Sequence, residues 1–233
     1  MKPLSVRWLG RLPYERAHRL QAKLVVQRRQ REIDDTLLLL EHPPVITLGR
    51  GADEAHVVAA PDELARLGIE KYEVGRGGDV TFHGPGQLVG YPIIALEGDR
   101  RDAHRYLRDL EEALIRACGA FGVRGGREEG LTGVWVDGGK VAAIGVRLSS
   151  GWITSHGFAL NVSTDLTGFD TIVPCGIGDR GVTSLGDLLG RAPALKKVAA
   201  VVARELAAIF GLRPEPPANP EEQLATPQAR ELS

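Results

Sequence analysis

The chain has 233 residues, 43% hydrophobic and 25% charged, the size and balance of one soluble globular domain with its own core. A formal charge of -1 excludes a global field that would draw it to nucleic acid or an anionic membrane. No apolar run reaches about 18 residues and Arg and Pro interrupt the N-terminal stretch, so no membrane span or signal peptide is expected and the expected location is cytoplasmic.

Ala17, Leu20 and Leu24 recur at helical spacing and predict an amphipathic helix over Pro13 to Arg31. Thr36 to Leu40 is an unbroken apolar run, which suits a strand buried on both faces. His42-Pro43-Pro44 forces a turn into a second short strand at Val45 to Leu48. Pro61 to Leu67 reads as a short helix, with Pro at its first position and Gly68 just past its end. Gly75 to Gln87 packs five glycines and a proline into thirteen residues and leads into an apolar strand, Leu88 to Leu96. Ala103 to Phe121 places Leu107, Leu110, Leu114 and Ala117 on one helical face. Strands follow at Val134 to Val136, Lys140 to Leu148 and Trp152 to Val162, the first two joined by an Asp137-Gly138 hairpin turn. Pro193 to Phe210 is a last amphipathic helix stopped by Gly211. One catalytic domain is expected over 1–213, and the Pro-, Glu- and Gln-rich residues 214–233 are expected to form a disordered tail. There is no internal repeat and no regular βαβ period, so the expected class is α+β, with a mixed, largely antiparallel sheet flanked by helices.

The chemistry-bearing residues are few. Two cysteines, Cys118 and Cys175, without CxxC or clustered Cys/His spacing, argue against a disulfide framework or a structural metal; both are expected to be free thiols. Cys175 lies in Ile172-Val173-Pro174-Cys175-Gly176-Ile177-Gly178, where Pro and Gly hold a side chain outside regular structure and bring backbone N–H groups near it. The residues alone leave open that it is a small hydrophobe in a turn, as Cys118 is on the buried stripe of its helix. His83, His156 and Lys140 are the groups able to help such a thiol ionise, and each has a plain structural reading beside the catalytic one. The glycine-rich segment lacks the Gly-Lys-Ser/Thr ending of a phosphate loop, so tight turns remain its alternative reading. The arginines 28, 29, 31, 100, 101, 105 and 108 suit either an acidic partner or solvated helix faces.

Five blocks in order, Leu37 to Arg50, Arg76 to Gln87, Lys140 to Val146, Ser155 to Val162 and Ile172 to Ile177, resemble the lipoyl(octanoyl) transferase family, which shares its fold with the biotin and lipoate protein ligases. The resemblance implies Cys175 as acyl-thioester nucleophile and Lys140 as the residue that lowers its pKa and shuttles protons. It implies a substrate pocket of Arg76, Gly77, Gly78, Asp79, Val80, Thr81, Phe82 and His83, with Ala143, Ile144, Gly145, Gly157, Phe158 and Ala159, and no metal or cofactor. The loop from Arg147 to His156 has no counterpart to borrow a role from. The implied donor is acyl carrier protein, and the implied acceptors are the lipoyl domains of 2-oxoacid dehydrogenase E2 subunits and the glycine cleavage H protein; a monomer is expected. The competing readings are an ATP-dependent lipoate or biotin ligase, a non-catalytic acyl-binding module and a cysteine hydrolase. Cys175 with Lys140 separates the transferase from the ligases, turnover separates it from a binding module, and release of free octanoate without acceptor would mark a hydrolase.

Overall fold

The protein is described by a computed structural model covering residues 1–173 and 181–216. In chain order its elements are β1 (Lys2–Arg11), α1 (Tyr14–Arg29), β2 (Asp35–Glu41), β3 (Val45–Leu48), α2 (Pro61–Leu67), β4 (Glu70–Glu73), β5 (Val80–His83), β6 (Gln87–Ile93), α3 (Ala103–Gly119), β7 (Gly126–Glu128), β8 (Leu131–Val136), β9 (Gly139–Ser149), β10 (Ile153–Asn161), α4 (Leu185–Leu189), α5 (Leu195–Phe210) and β11 (Leu212–Glu215). Eight strands form one sheet in the order β11-β1-β2-β6-β10-β9-β8-β7, and β4-β3-β5 form a second. β1 runs parallel to β2 and β11, and β3 to β4; the remaining neighbours are antiparallel. This is the mixed, largely antiparallel architecture that the sequence led us to expect.

The alternation of side chains along a strand explains the apolar run at Leu37 to Leu40. Leu37 and Leu39 join the core under α3 and α5, whereas Leu38 and Leu40 pack with Ala17 and Leu24 of α1. Both faces of the Leu37 to Leu40 stretch are covered, so no polar residue punctuates it; burying one such leucine contributes roughly 2 kcal/mol. A third apolar cluster, with Ile46, Leu48, Leu64, Phe82 and Phe169, lies under the small sheet.

The local stop signals act as their chemistry requires. Gly68 and Gly211 close α2 and α5 at φ 65° and 66°, a left-handed conformation that glycine adopts without a Cβ penalty. Asp137 and Gly138 have φ of 48° and 81° between the paired Val136 and Gly139, the two-residue primed turn expected of Asp-Gly.

β1, β4, β5, β7 and β11 were not expected, although Leu4, Val6 and Trp8 of β1 and Val80 and Phe82 of β5 alternate with polar residues. β11 is an edge strand held by its register with β1, where Pro214 pairs with Leu4 and Glu215 with Ser5. The described chain therefore continues in regular structure past the expected boundary at Arg213. Residues 217–233 of the expected tail, and Cys175 itself, lie outside the described residues.

Candidate active site

A cavity of about 650 Å³ lies where the hairpin of β9 and β10 meets the glycine-rich segment before β5. Four successive cross-strand pairs contribute to it: Ala143 with Ala159, Ile144 with Phe158, Gly145 with Gly157, and Val146 with His156. The glycine positions are sterically set. A Cβ on Gly157 would stand 2.2 Å from the Gly90 carbonyl oxygen and 2.6 Å from Pro92 Cδ. A Cβ on Gly145 would crowd Arg76 Cδ at 3.0 Å and the Gly77 carbonyl at 3.1 Å.

Pro92 also explains the irregular backbone opposite it. It has no N–H for the ladder, and the β6–β10 pairing runs only from Phe158 onward. The Thr154 hydroxyl patches the gap, donating to the Pro92 carbonyl at 2.7 Å and accepting from the Ile94 N–H at 2.9 Å. His156 takes φ 55° in the break, and its N–H donates to Gln21 Oε1 of α1 at 2.8 Å. A strand defect thus sets His156 at the cavity wall.

The glycine-rich segment folds as a flap tied to both sheets. Gly77 N–H donates to the Val146 carbonyl at 2.9 Å, and the N–H groups of Gly49, Arg50 and Gly51 donate to the carbonyls of Asp79, Arg76 and Gly78. Arg76 is buried and donates through Nη2 to the Thr47 carbonyl and hydroxyl at 2.7 and 2.9 Å. Its guanidinium is the fixed positive charge of this wall. Gly78 has φ 86°, and a Cβ on Gly49 would stand 2.2 Å from the Gly78 carbonyl, so the flap requires glycine at both places.

Arg76, Gly77, Gly78, Asp79, Val80, Thr81 and His83 all border the cavity, as do Ala143, Ile144, Gly145, Gly157, Phe158 and Ala159. Phe82 does not line it. Alternation along β5 turns that ring into the small sheet's apolar cluster, 5.5 Å from the Phe169 ring centroid.

Lys140 borders the same cavity although it is only 8% exposed. Its Nζ lies 4.7 Å from the centroid of the Trp135 ring, a cation–π distance. Its stem lies against Gly133, φ 132°, where a Cβ would stand 2.6 Å from the Ala142 carbonyl oxygen; the Gly133 N–H donates to the buried Glu111 carboxylate at 3.1 Å. Glu111 also accepts from Arg108 and Arg127 at 2.7 and 2.9 Å, so α3 anchors the strand beneath Lys140. The Lys140 backbone donates to the Gly181 carbonyl at 3.0 Å and accepts from Thr183 N–H at 3.0 Å. Val173 N–H donates to the carbonyl of His56 at 2.7 Å, and His56 Nδ1 sits 2.6 Å from Asp79 Oδ2. The described residues on both sides of the Cys175 segment are therefore fixed to residues of the cavity rim.

Sequence reasoning named His83 and His156 but missed the bank of rings on one wall to which they belong. Tyr14, His83, Tyr91 and His156 border the cavity, and His42 lies among them, its centroid 5.3 Å from Tyr14, 5.8 Å from His83 and 5.9 Å from Tyr91. Burial is the main cause pulling the imidazoles down, His42 to about 4 and His83 and His156 to about 3. Burial likewise lifts the Tyr14 phenol to about 12, against the pull of Arg76. Near neutral pH these rings are uncharged. His42 was visible in its Pro-flanked turn, but nothing local marks Tyr14 or Tyr91. Cys118 is fully buried on the inner face of α3, and burial raises its thiol to about 12, which leaves it inert.

An α+β sheet with a closed glycine-rich flap over a lysine-bearing cavity is the architecture of one class of acyl-handling enzymes, and residues 13–207 match the lipoyl protein ligase A/B catalytic domain. The chain belongs to that family. Within it the chain belongs with the octanoyltransferases: that of Rubrobacter xylanophilus is 61% identical over 190 residues, covering 81% of this chain and 85% of the relative. That of Chloroflexus aggregans is 53% identical over 216 residues, covering 92% and 98%. Among solved structures, a putative lipoate protein ligase from T. acidophilum with bound lipoic acid superposes with a TM-score of 0.71 at 15% identity, over 96% of this chain and 93% of that one. The biotin protein ligase of Aquifex aeolicus gives 0.52 at 13% identity, over 91% and 70%. These two share the fold.

Proposed function

We propose that this octanoyltransferase moves its acyl group in two thioester-based steps, with Cys175 as the acyl carrier and Lys140 as its proton-handling partner. The donor is an octanoyl thioester on acyl carrier protein, and the acceptor is a lysine of a lipoyl domain. In the first step the Cys175 thiolate attacks the thioester carbonyl and the carrier's thiol leaves. One thioester replaces another, so the free energy is nearly balanced and the site has mainly to orient the reactants and stabilise the oxyanion. In the second step the lysine amine displaces Cys175 and forms an amide, which is downhill and needs no ATP.

The observation that supports the pairing of Cys175 with Lys140 is the attachment of the chain around Cys175: Val173 at the His56 carbonyl, Gly181 at the Lys140 N–H. An ammonium beside a thiol favours the thiolate by direct attraction, and the buried Trp135 face is a place where an ammonium is favoured. Val80, Ile144 and Phe158 give the cavity its apolar wall for an alkyl chain, where each buried methylene contributes about 0.8 kcal/mol. Among the described residues no helix is long and apolar enough to cross a membrane, consistent with soluble donors and acceptors.

The test is octanoyl transfer by Cys175→Ser with carrier-bound donor and isolated lipoyl domain, ATP omitted. Wild-type protein is expected to transfer without pyrophosphate release, and the variant to lose at least about a hundredfold in rate. Undiminished transfer by the variant, or a strict need for ATP, would overturn the covalent reading.

A further inference from the structure

The hydrogen-bond pattern of the ring bank fixes the protonation of two nitrogens: His42 Nδ1, which donates to the Leu12 carbonyl at 2.7 Å, and His83 Nδ1, which borders the cavity. The Thr183 carbonyl can only accept, and Asn161 faces it at 3.0 Å, so the Asn161 amide nitrogen points there. Asn161 Oδ1 must then be the atom 2.9 Å from Gln87, which makes that Gln87 atom the amide nitrogen. The same nitrogen donates to the Phe82 carbonyl at 3.2 Å, a second group that can only accept. Gln87 Oε1 therefore faces His83 Nδ1 at 2.7 Å, and Nδ1 must hold the proton. The chain ends at backbone carbonyls, so reversing either amide would set oxygen against oxygen. His83 Nε2 is left with a bare lone pair.

Burial is the main cause that keeps this ring neutral, and it outweighs the hydrogen bond to Gln87, which favours the cation. The charged or titratable groups around it are His42 at 5.8 Å between centroids, Arg76 of the flap and His156 of β10, and all three act against an imidazolium. Among the described residues no donor reaches Nε2, yet His83 borders the cavity with Lys140 and Asn161. An acceptor that opens on a cavity in this way is satisfied by a ligand or a water.

We propose that His83 Nε2 accepts a hydrogen bond from the incoming amine in the second step and orients it for attack. This rests on the transfer reading above. The chemistry of the reactants selects the amine. An oxyanion needs donors and would be repelled by a lone pair, and neither the thioester carbonyl nor the alkyl chain brings an N–H. The amine brings two, and pointing one at Nε2 frees its own lone pair for the carbonyl carbon. The C–N bond forms as the C–S bond breaks, sulfur leaves as the Cys175 thiolate, and the amine's proton passes to that sulfur by way of Lys140. His83 never takes the proton, because its environment opposes the cation; its contribution is direction, which strengthens as positive charge develops on nitrogen.

Two substitutions split the acceptor from the packing role. His83→Asn places an amide nitrogen near the Nδ1 position and keeps the donor to Gln87 while removing the acceptor. His83→Gln reaches the Nε2 position with an oxygen and keeps the acceptor while losing the donor. The acylation step and the transfer step are measured separately by rapid quench and intact mass. The expected result is a transfer rate, relative to acylation, about tenfold lower in His83→Asn than in His83→Gln. The reverse order, equal transfer rates in the two, or a loss in acylation alone that would assign the lone pair to an amide of the donor's arm, would overturn the proposal. Nitrogen-15 NMR of imidazole-labelled protein gives a second arm that needs no turnover: Nδ1–H with bare Nε2 from about pH 5 to about pH 9 is expected. An Nε2–H tautomer, or titration within that range, would overturn the proposal too, whether or not Cys175 is acylated.

Discussion

The side of the large sheet under α3 and α5 and the side that meets α1 and the small sheet are built from different chemistry. The first is a continuous apolar core, with Leu110, Leu114, Val198, Val202 and Leu206 essentially inaccessible, and Glu111 buried at its border. The second buries His42, His83, His156, Gln87 and Asn161 beside Arg76 and leaves a cavity among them. The first side is held by burial alone, whereas the second, beside its own apolar clusters, also depends on its histidines staying neutral. The cavity sits on the side whose stability is partly conditional.

The sharpest way to separate the two sides is acid. His42, His83 and His156 bind protons more weakly folded than at their ordinary value of 6.5, so between that value and about 4 the unfolded chain holds more protons. Stability from these groups is present above about pH 6.5 and is lost as pH falls. The loss by pH 5 is on the order of 2 kcal/mol for each histidine, several kcal/mol in all, read from urea midpoints across the range. Leu110→Ala on the apolar side should lower both ends of that series equally.

Glu111→Ala should cost roughly 2–3 kcal/mol in chemical denaturation, since it leaves the buried Gly133 N–H without its acceptor and takes a partner from Arg108, while Arg127 keeps Glu112. It should also slow octanoyl transfer, because Gly133 lies against the Lys140 stem. Next comes Gly49→Ala, which drives a Cβ to 2.2 Å from the Gly78 carbonyl and should cost about 1–3 kcal/mol, with a larger fractional loss of transfer than of stability. The mildest is Val26→Lys on the exposed side of α1, expected to stay within about 0.5 kcal/mol and to leave transfer rates unchanged.

The apolar side was the more legible in sequence, because burial writes itself as periodicity. The Thr36 to Leu40 run, the α3 stripe and the α5 stripe each announced their element, and Asp137-Gly138 its turn. On the other side the flap residues and Lys140 were assigned a role only through five ordered blocks, since their spacing alone fits ordinary turns and strand ends. Tyr14 and Tyr91 escaped because they meet His42 through tertiary contact, from α1 and β6, with no local signature. Phe82 was misplaced for a related reason: a block of neighbours says which segment nears a cavity, but strand alternation decides which side chains enter it. β11 was missed because its partner, β1, lies at the opposite end of the chain.

The most direct test of the account is where the acyl group rests between donor and acceptor. Protein mixed with octanoyl carrier and no acceptor, then digested and mapped by mass spectrometry, should show one octanoyl adduct on the peptide holding Cys175 and none on that holding Cys118. An adduct confined to Cys118, or turnover with no enzyme-bound acyl group at any time, would contradict it.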